Sequence, residues 1–126
     1  MDIKEIFVKG AWSFIVSDET KDFDNPVSDE YGNWENEEVQ KIVQKMLEVG
    51  VDMADISRLA KIMQFQLLSN MCYYLEDPAI SELAGQSNFL WGLFSLNEDE
   101  EPDEQLTGLH ELVLINDPSG NEMRPK

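Results

Sequence analysis

The chain has 126 residues, and its 26 acidic side chains outnumber its 9 basic ones, so that the formal net charge is −17. Nucleic acids and anionic membranes both attract basic protein surfaces, and this charge therefore disfavours either of them as a partner. Apolar residues make up 42% of the chain, which argues against compositional disorder and suits a single domain over residues 1–126.

The cysteine content and the apolar segments indicate a cytoplasmic protein. Cys72 is the only cysteine, so no internal disulfide is expected, as is usual in a reducing compartment. The N-terminal residues MDIKEIF lack the basic, apolar and small-residue order of a signal peptide. The charge-free run over residues 62–75 is fourteen residues long, which is too short and too polar to span a bilayer.

Helical periodicity predicts an all-α, bundle-like domain of about five helices. The first helix is expected after Asp2, whose spacing to Glu5 resembles a capping box. Its predicted core face consists of Ile3, Ile6, Phe7, Gly10 and Phe14. The aromatic and β-branched residues over 6–16 leave a short strand as the alternative, within an α+β fold.

Two further helices are predicted to meet at Gly50, a residue that favours the left-handed conformation found at helix ends. The second helix follows Asn36, and the third begins at Asp52 and extends to about residue 75. The predicted core face of the third helix consists of Ile56, Leu59, Ala60, Met63, Leu67, Asn70, Met71 and Tyr74. Acids offset the bases of this helix pair, so it is interpreted as an ordinary helical hairpin rather than a DNA-binding motif.

Two more helices are predicted in the C-terminal part of the chain. The Asp-Pro pair at 77–78 is typical of a helix start, and a short strand near residues 89–95 is the alternative for the end of that segment. Pro102 is a further helix start. Residues 117–126 begin with a turn sequence and are expected to form an irregular tail.

No cluster of residues predicts catalysis, a cofactor or a metal site. Cys72 lies in an apolar run and His110 has no sequence partner that would make it a catalytic base, so structural roles are expected for both. One histidine and one cysteine cannot supply a four-ligand zinc site. The carboxylates of residues 99–103 have the spacing of a calcium loop, but Glu104 stands where the loop needs glycine and Pro102 interrupts it.

The acidic residues are concentrated in two stretches that are expected to lie outside helices. One is a long loop predicted over residues 18–35, and the other is an acidic linker over residues 97–104 with the sequence NEDEEPDE. No Lys or Arg occurs between residues 62 and 123. A helix start accounts for the carboxylates beside Pro102, but it does not account for those of residues 98–100.

This charge layout leads to the hypothesis of a non-enzymatic binding protein. A basic protein partner would dock on an acidic face, as in immunity or inhibitor proteins or in nucleic-acid mimics. The predicted partner-binding residues are Tyr31, Trp34, Glu98, Asp99, Glu100 and Glu101. The alternative is a homo-oligomeric structural or accessory domain whose acidity is incidental. It would have an exposed apolar patch around Leu90, Leu93 and Phe94 that is covered in a homodimer.

Overall fold

The computed structural model describes residues 2–20, 23, 34–77 and 91–125. Within them the chain forms four helices and one two-stranded antiparallel sheet. The elements in chain order are α1 (Ile3–Trp12), α2 (Trp34–Glu48), α3 (Met53–Glu76), β1 (Phe94–Leu96), β2 (Pro102–Gln105) and α4 (Leu109–Ile115). The predicted mainly helical fold is confirmed, but the count of five helices is not. None of these helices combines the length and the apolar character needed to cross a membrane.

The chain divides into two compact units. The terminal unit comprises Met1–Ile15 and Phe65–Lys126, and the middle unit comprises Val16–Gln64. The expectation of a single domain over the whole chain stays a prediction.

Several predictions fall outside the described residues. The loop predicted over residues 18–35 is described only at its two ends and at Phe23. Tyr31 lies outside the described residues, and so does most of the segment after Asp77 in which a helix was predicted.

Helix α1 begins as predicted, but a different face of it is buried. The Asp2 carboxylate accepts a hydrogen bond from a backbone N–H in the first turn at 3.2 Å and so caps the helix. Val8 and Trp12 are its buried residues, whereas Ile3 and Ile6 of the predicted core face are exposed. The alternative of a strand in this segment is wrong. The start of the helix was predictable because its sequence signals are local. Which face of α1 is buried depends instead on the elements that pack against the helix.

Helix α3 also exposes much of its predicted core face. The exposed members of that face are Leu59, Met63, Leu67, Asn70 and Met71. Ser57 and Lys61 are buried instead, at 1% and 3% exposure. The Ser57 hydroxyl donates a hydrogen bond to the backbone O of Thr20 at 2.5 Å. Burial of polar groups is tolerated only when such partners exist, and here the partner is distant in the sequence.

The core of the terminal unit is built from α1, the end of α3, the segment after β2 and α4. Its buried members are Val8, Trp12, Cys72, Leu106, Leu109 and Val113. The Trp12 indole Nε1 donates to the backbone O of Val113 at 2.8 Å, which joins α1 to α4 inside the core. The Trp12 ring also stacks on Phe65, with 6.0 Å between the ring centroids. Full burial of an aliphatic side chain such as that of Leu109 stabilises the fold by about 2 kcal/mol.

A charged cluster holds residues 16–20 to helix α3 within the middle unit. The Lys61 Nζ lies 3.0 Å from Asp18 Oδ2, and Arg58 Nη1 lies 3.4 Å from Asp18 Oδ1. Desolvation by burial opposes the charged form of this carboxylate. The hydrogen bonds and charges of Lys61 and Arg58 outweigh it, so the pKa of Asp18 is lowered from its usual 3.8. The first residues of the predicted 18–35 loop therefore have a structural role.

The segment predicted as an acidic linker and helix start forms a β-hairpin. Strands β1 and β2 pair antiparallel, with Phe94 opposite Gln105 and Leu96 opposite Pro102. Strand β2 has one residue more than β1 between these paired positions, so the ladder contains an irregularity of the β-bulge type. Phe94 and Leu96 are two residues apart in β1 and therefore point to the same side of the sheet.

The predicted start of a helix at Pro102 is wrong, because the helix begins only at Leu109. A proline suits the first turn of a helix and also the edge of a sheet, where its missing N–H removes no ladder hydrogen bond. The sequence signal was therefore ambiguous, and the hairpin partner decided it. The alternative of a short strand near residues 89–95 agrees with β1 at its C-terminal end.

The C-terminal tail contains turns and no helix or strand through residue 125. The Asp117 carboxylate, which is almost fully buried, organises these turns. It accepts hydrogen bonds from the backbone N and the hydroxyl of Ser119 and from the backbone N of Met123, at 2.9–3.0 Å. Met123 packs against the core of the terminal unit, so the tail is fixed to that unit.

Candidate partner-docking surface

Residues 97–101 form the tip of the hairpin, and we call them the acidic turn. The Asn97 side-chain oxygen accepts hydrogen bonds from the backbone N of Asp99 at 2.9 Å and of Glu101 at 3.0 Å. The backbone of Asn97 adds two more hydrogen bonds, one from Glu100 N and one to Glu101 O. Asparagine is suited to this position because its short side chain can bond to the backbone two residues on. Four hydrogen bonds around one residue therefore order the turn.

The carboxylates of the acidic turn are exposed to solvent. Glu98, Asp99, Glu100 and Glu101 are all exposed, as are Asp103 and Glu104 on β2. Within the described part of the chain, no Lys, Arg or His side chain forms an ion pair with any of these six residues. Since their backbone is held by Asn97 and by the β1–β2 pairing, they form a local concentration of negative charge on an ordered scaffold.

An apolar groove lies beside the hairpin, and we call it the α1–β1 groove. It has a volume of about 240 Å³. Its lining consists of Ile3, Ile6, Phe7, Leu93, Phe94, Ser95 and Leu106. Ile3, Ile6 and Phe94 are 38%, 53% and 43% exposed, so three large apolar side chains of the lining remain in contact with water. Groups of exposed apolar side chains of this kind are typical of interaction sites.

Ser95 and Gly92 position Phe94 in this groove. The Ser95 hydroxyl bonds to the backbone N and O of Glu104, at 3.1 and 3.4 Å, where the strand pairing is irregular. A Cβ atom added at Gly92 would lie 3.0 Å from the Phe94 ring. Glycine at this position therefore lets the ring lie close to the backbone that precedes β1.

The structure brings together four of the predicted partner-binding residues, Glu98–Glu101, on the acidic turn. Trp34 is the first residue of α2 and belongs to the middle unit. Tyr31 lies outside the described residues. The lining of the groove from α1 was missed as a site, because its apolar spacing was interpreted as a core face. Leu90, Leu93 and Phe94 were predicted as an exposed patch. Phe94 is exposed and Leu93 is partly buried, whereas Leu90 lies outside the described residues.

A second polar cluster in the terminal unit joins α3 to α4. The Glu76 carboxylate accepts hydrogen bonds from the backbone N of Leu109 and from the backbone N of His110, the latter at 3.2 Å. Its other oxygen lies 2.9 Å from His110 Nδ1. The imidazole stacks on Tyr73 with 3.7 Å between the ring centroids. Since Gly108 precedes α4 and supplies no side-chain cap, Glu76 provides the acceptor for the first N–H groups of this helix.

A carboxylate that orients a histidine also occurs in catalytic sites, where the histidine activates a nucleophile. Cys72 does not fit that role. It is 1% exposed, and burial together with the charge of Glu76 raises its pKa to about 11. The thiol therefore stays protonated at neutral pH and acts as a core residue. In the ranges that the structure describes, no group of three or more His, Cys, Asp or Glu side chains is arranged to hold a metal ion.

The geometry therefore separates the carboxylates into two groups. Asp18 and Glu76 are held by specific donors and stabilise the fold, whereas the acidic turn has no such donors among the described side chains.

Comparison of the chain with known protein families, curated proteins and solved structures found no match.

Proposed function

We propose that this chain is a non-enzymatic binding protein that docks a basic protein partner through the acidic turn. The observation that carries the proposal is the order of this turn: Asn97 fixes its backbone while Glu98–Glu101 stay exposed. Ordered binding residues lose less conformational entropy on association than mobile ones. Complementary charge also raises association rates and discriminates against wrong partners more than it increases affinity.

The action on the partner would resemble that of an immunity or inhibitor protein, or that of a nucleic-acid mimic. In each case the acidic surface occupies a basic site that otherwise meets a substrate or a polyanion. A mimic would compete with nucleic acid for the same partner, whereas an inhibitor of another kind would not.

A charge-reversal variant tests the proposal. The variant Glu98→Lys/Glu101→Lys removes two carboxylates of the acidic turn and leaves Asn97 and its hydrogen bonds in place. The matched control Glu38→Lys/Glu48→Lys changes the net charge equally at two exposed residues of α2 in the middle unit. Each protein is immobilised and used to capture proteins from a nuclease-treated lysate of the source cell, with elution by steps of salt.

We expect the wild type and the α2 control to retain the same basic protein, and the turn variant to lose it. Elution at moderate salt would agree with charge-dominated docking, since ionic strength screens exposed charges. Equal retention by all three proteins would contradict a role for the acidic turn.

A homo-oligomeric accessory domain is the second candidate, and a specific feature of α3 favours it. Leu67 and Met71 lie four residues apart on the part of this helix that belongs to the terminal unit, and both are exposed. Apolar side chains at this spacing form a stripe that a second copy of the chain can cover. Sedimentation velocity of the wild type and of Leu67→Lys tests this candidate. It requires a dimer that the variant weakens, and a strict monomer at high protein concentration would contradict it.

A further inference from the structure

We infer that the partner segment which docks here is both basic and apolar, with a large apolar side chain for the α1–β1 groove and flanking Lys or Arg side chains for the acidic turn. This inference rests on the proposed function and specifies the chemistry of the partner. The groove adds to the acidic turn an apolar site that a purely polar cation would leave empty. Ile6 on α1 and Phe94 on β1 are the two most exposed large apolar side chains of its lining.

The groove and the acidic turn lie within reach of one short segment. Phe94 lines the groove and Asn97 begins the turn three residues later in the same hairpin. At roughly 3.3 Å per residue in a strand, this separation is about 10 Å. Two turns of a helix or three residues of extended chain span the same length. A single segment can therefore place an apolar side chain in the groove and basic side chains beside the turn.

The charge around the groove favours a positively charged partner. Helix α1 and its N-cap residue Asp2 contribute two acids, Asp2 and Glu5, and two bases, Lys4 and Lys9, so this segment adds no net charge. The hairpin contributes six carboxylates over residues 98–104 and no base. An occupant with a negative or neutral surface would gain nothing from this field, whereas Lys and Arg side chains would be attracted.

The same charge disfavours a second copy of this chain as the occupant. In a two-fold symmetric dimer the same patch meets itself, so two acidic turns would approach one interface. Like charges brought together across an interface are unfavourable. The apolar groove and the acidic turn are thus compatible in one interface only if the partner supplies the positive charge.

Synthetic peptides test this inference by fluorescence anisotropy. The first labelled peptide carries Leu and Phe flanked by Lys and Arg, and the second replaces Leu and Phe by Ser. The variants Ile6→Ser and Phe94→Ser remove one wall of the groove each. Phe14→Ser is the matched control, because Phe14 is an apolar residue of the same unit, is 71% exposed and does not line the groove.

We expect the first peptide to bind the wild type about tenfold more tightly than the second, since anchoring side chains dominate the affinity of such interfaces. Ile6→Ser and Phe94→Ser should weaken binding of the first peptide by about tenfold and leave the second unchanged. Phe14→Ser should bind both peptides as the wild type does. Circular dichroism of each variant tests whether the fold is retained. Because the two groove variants lie on different elements, a local folding defect in one of them would not explain an effect that both share.

The possible failures are distinguishable. Equal binding of both peptides, with no effect of Ile6→Ser or Phe94→Ser, would overturn the apolar anchor. If Glu98→Lys/Glu101→Lys still weakens binding in that case, the proposed function stands. No effect of the charge reversal would overturn the proposed function itself. Binding of neither peptide at low salt would overturn both, and self-association abolished by Ile6→Ser would assign the groove to a second copy instead.

Discussion

The acidic turn and the Asp18 cluster place carboxylates in opposite surroundings. Asp18 lies 3.0 Å from the buried Lys61 Nζ and 3.4 Å from Arg58 Nη1. Glu98 and its neighbours in the turn form no ion pair with a described side chain, and only Asn97 and the backbone order them. The carboxylates that produce the net charge of −17 therefore have at least two different roles within one chain.

The surroundings of a carboxylate, rather than the frequency of acidic residues in the sequence, therefore decide its role. A carboxylate that accepts bonds from buried donors stabilises the fold, and its removal leaves those donors in a low-dielectric interior. A carboxylate without such donors contributes little to the fold and keeps its charge available for a partner. Glu76 belongs with Asp18, although it lies in the half of the chain that lacks Lys and Arg until Arg124.

The largest effect is expected for Asp18→Ala. This change removes a carboxylate that contacts both Lys61 and Arg58, and breaking a buried ion pair on one side is strongly destabilising. Because Arg58 is partly exposed, we expect the free energy of unfolding to fall by about 2–3 kcal/mol. Urea denaturation measures it, with Glu38→Ala on the exposed face of α2 as the control. Equal stability of the two variants would contradict the structural role of Asp18.

A somewhat smaller decrease in the free energy of unfolding is expected for Glu76→Ala. The backbone N–H groups of Leu109 and His110 and the His110 ring would all lose their acceptor, at a cost of about 2 kcal/mol. Glu76→Gln keeps one oxygen acceptor and should lose about 1 kcal/mol. Thermal or urea unfolding distinguishes the three proteins. If Glu76→Ala were as stable as the wild type, the start of α4 would not depend on this carboxylate.

The pH dependence of stability provides a third test. The pKa of Asp18 is lower in the folded state than its usual value of 3.8, so the unfolded chain takes up a proton at this residue first as the pH falls. The stability that Asp18 contributes is therefore complete above about pH 4–5 and is lost as the pH falls through the lowered folded value. Urea unfolding of Asp18→Asn should show a weaker loss over this acidic range than the wild type. Identical pH profiles would mean that the Asp18 carboxylate is not stabilised in its charged form.

Asn97→Ala is expected to affect the order of the turn more than the stability of the fold. The variant removes the acceptor for two exposed backbone N–H groups, which water can replace, so we expect a loss of at most about 1 kcal/mol. The affinity for a basic peptide should fall several-fold because the carboxylates are no longer held in place. Anisotropy and urea unfolding of the same protein preparation test both effects. An unchanged affinity would show that order in the turn is not needed for binding.

The helices were largely predictable because their signals are local. Asp2 caps α1 as predicted, and α2 and α3 occupy the segments in which periodicity placed them. The predicted start of α2 after Asn36 is wrong, because this helix begins at Trp34. The buried faces of α1 and α3 were not predictable, since burial of Lys61 depends on Asp18, which is more than forty residues away in the chain. The sequence cannot show such a partner before the chain is folded.

The candidate site was predictable in its charge but not in its architecture. Residues 98–101 were predicted as partner-binding acids, and the structure shows them exposed on one turn. The hairpin was missed because Pro102 also fits a helix start and because Asn97 orders the turn through its side chain. The groove was missed because the apolar residues of α1 have the spacing of a core face, and only the packing of Val8 and Trp12 shows which face is free.

The most direct test of the central claim is to measure stability and binding together for Glu98→Lys/Glu101→Lys. We expect a free energy of unfolding within about 0.5 kcal/mol of the wild type, as is usual for exposed substitutions. We also expect the affinity for the basic peptide with Leu and Phe to fall by about tenfold. A loss of stability comparable to that of Asp18→Ala, or an unchanged affinity for the peptide, would contradict the claim that these carboxylates serve a partner rather than the fold.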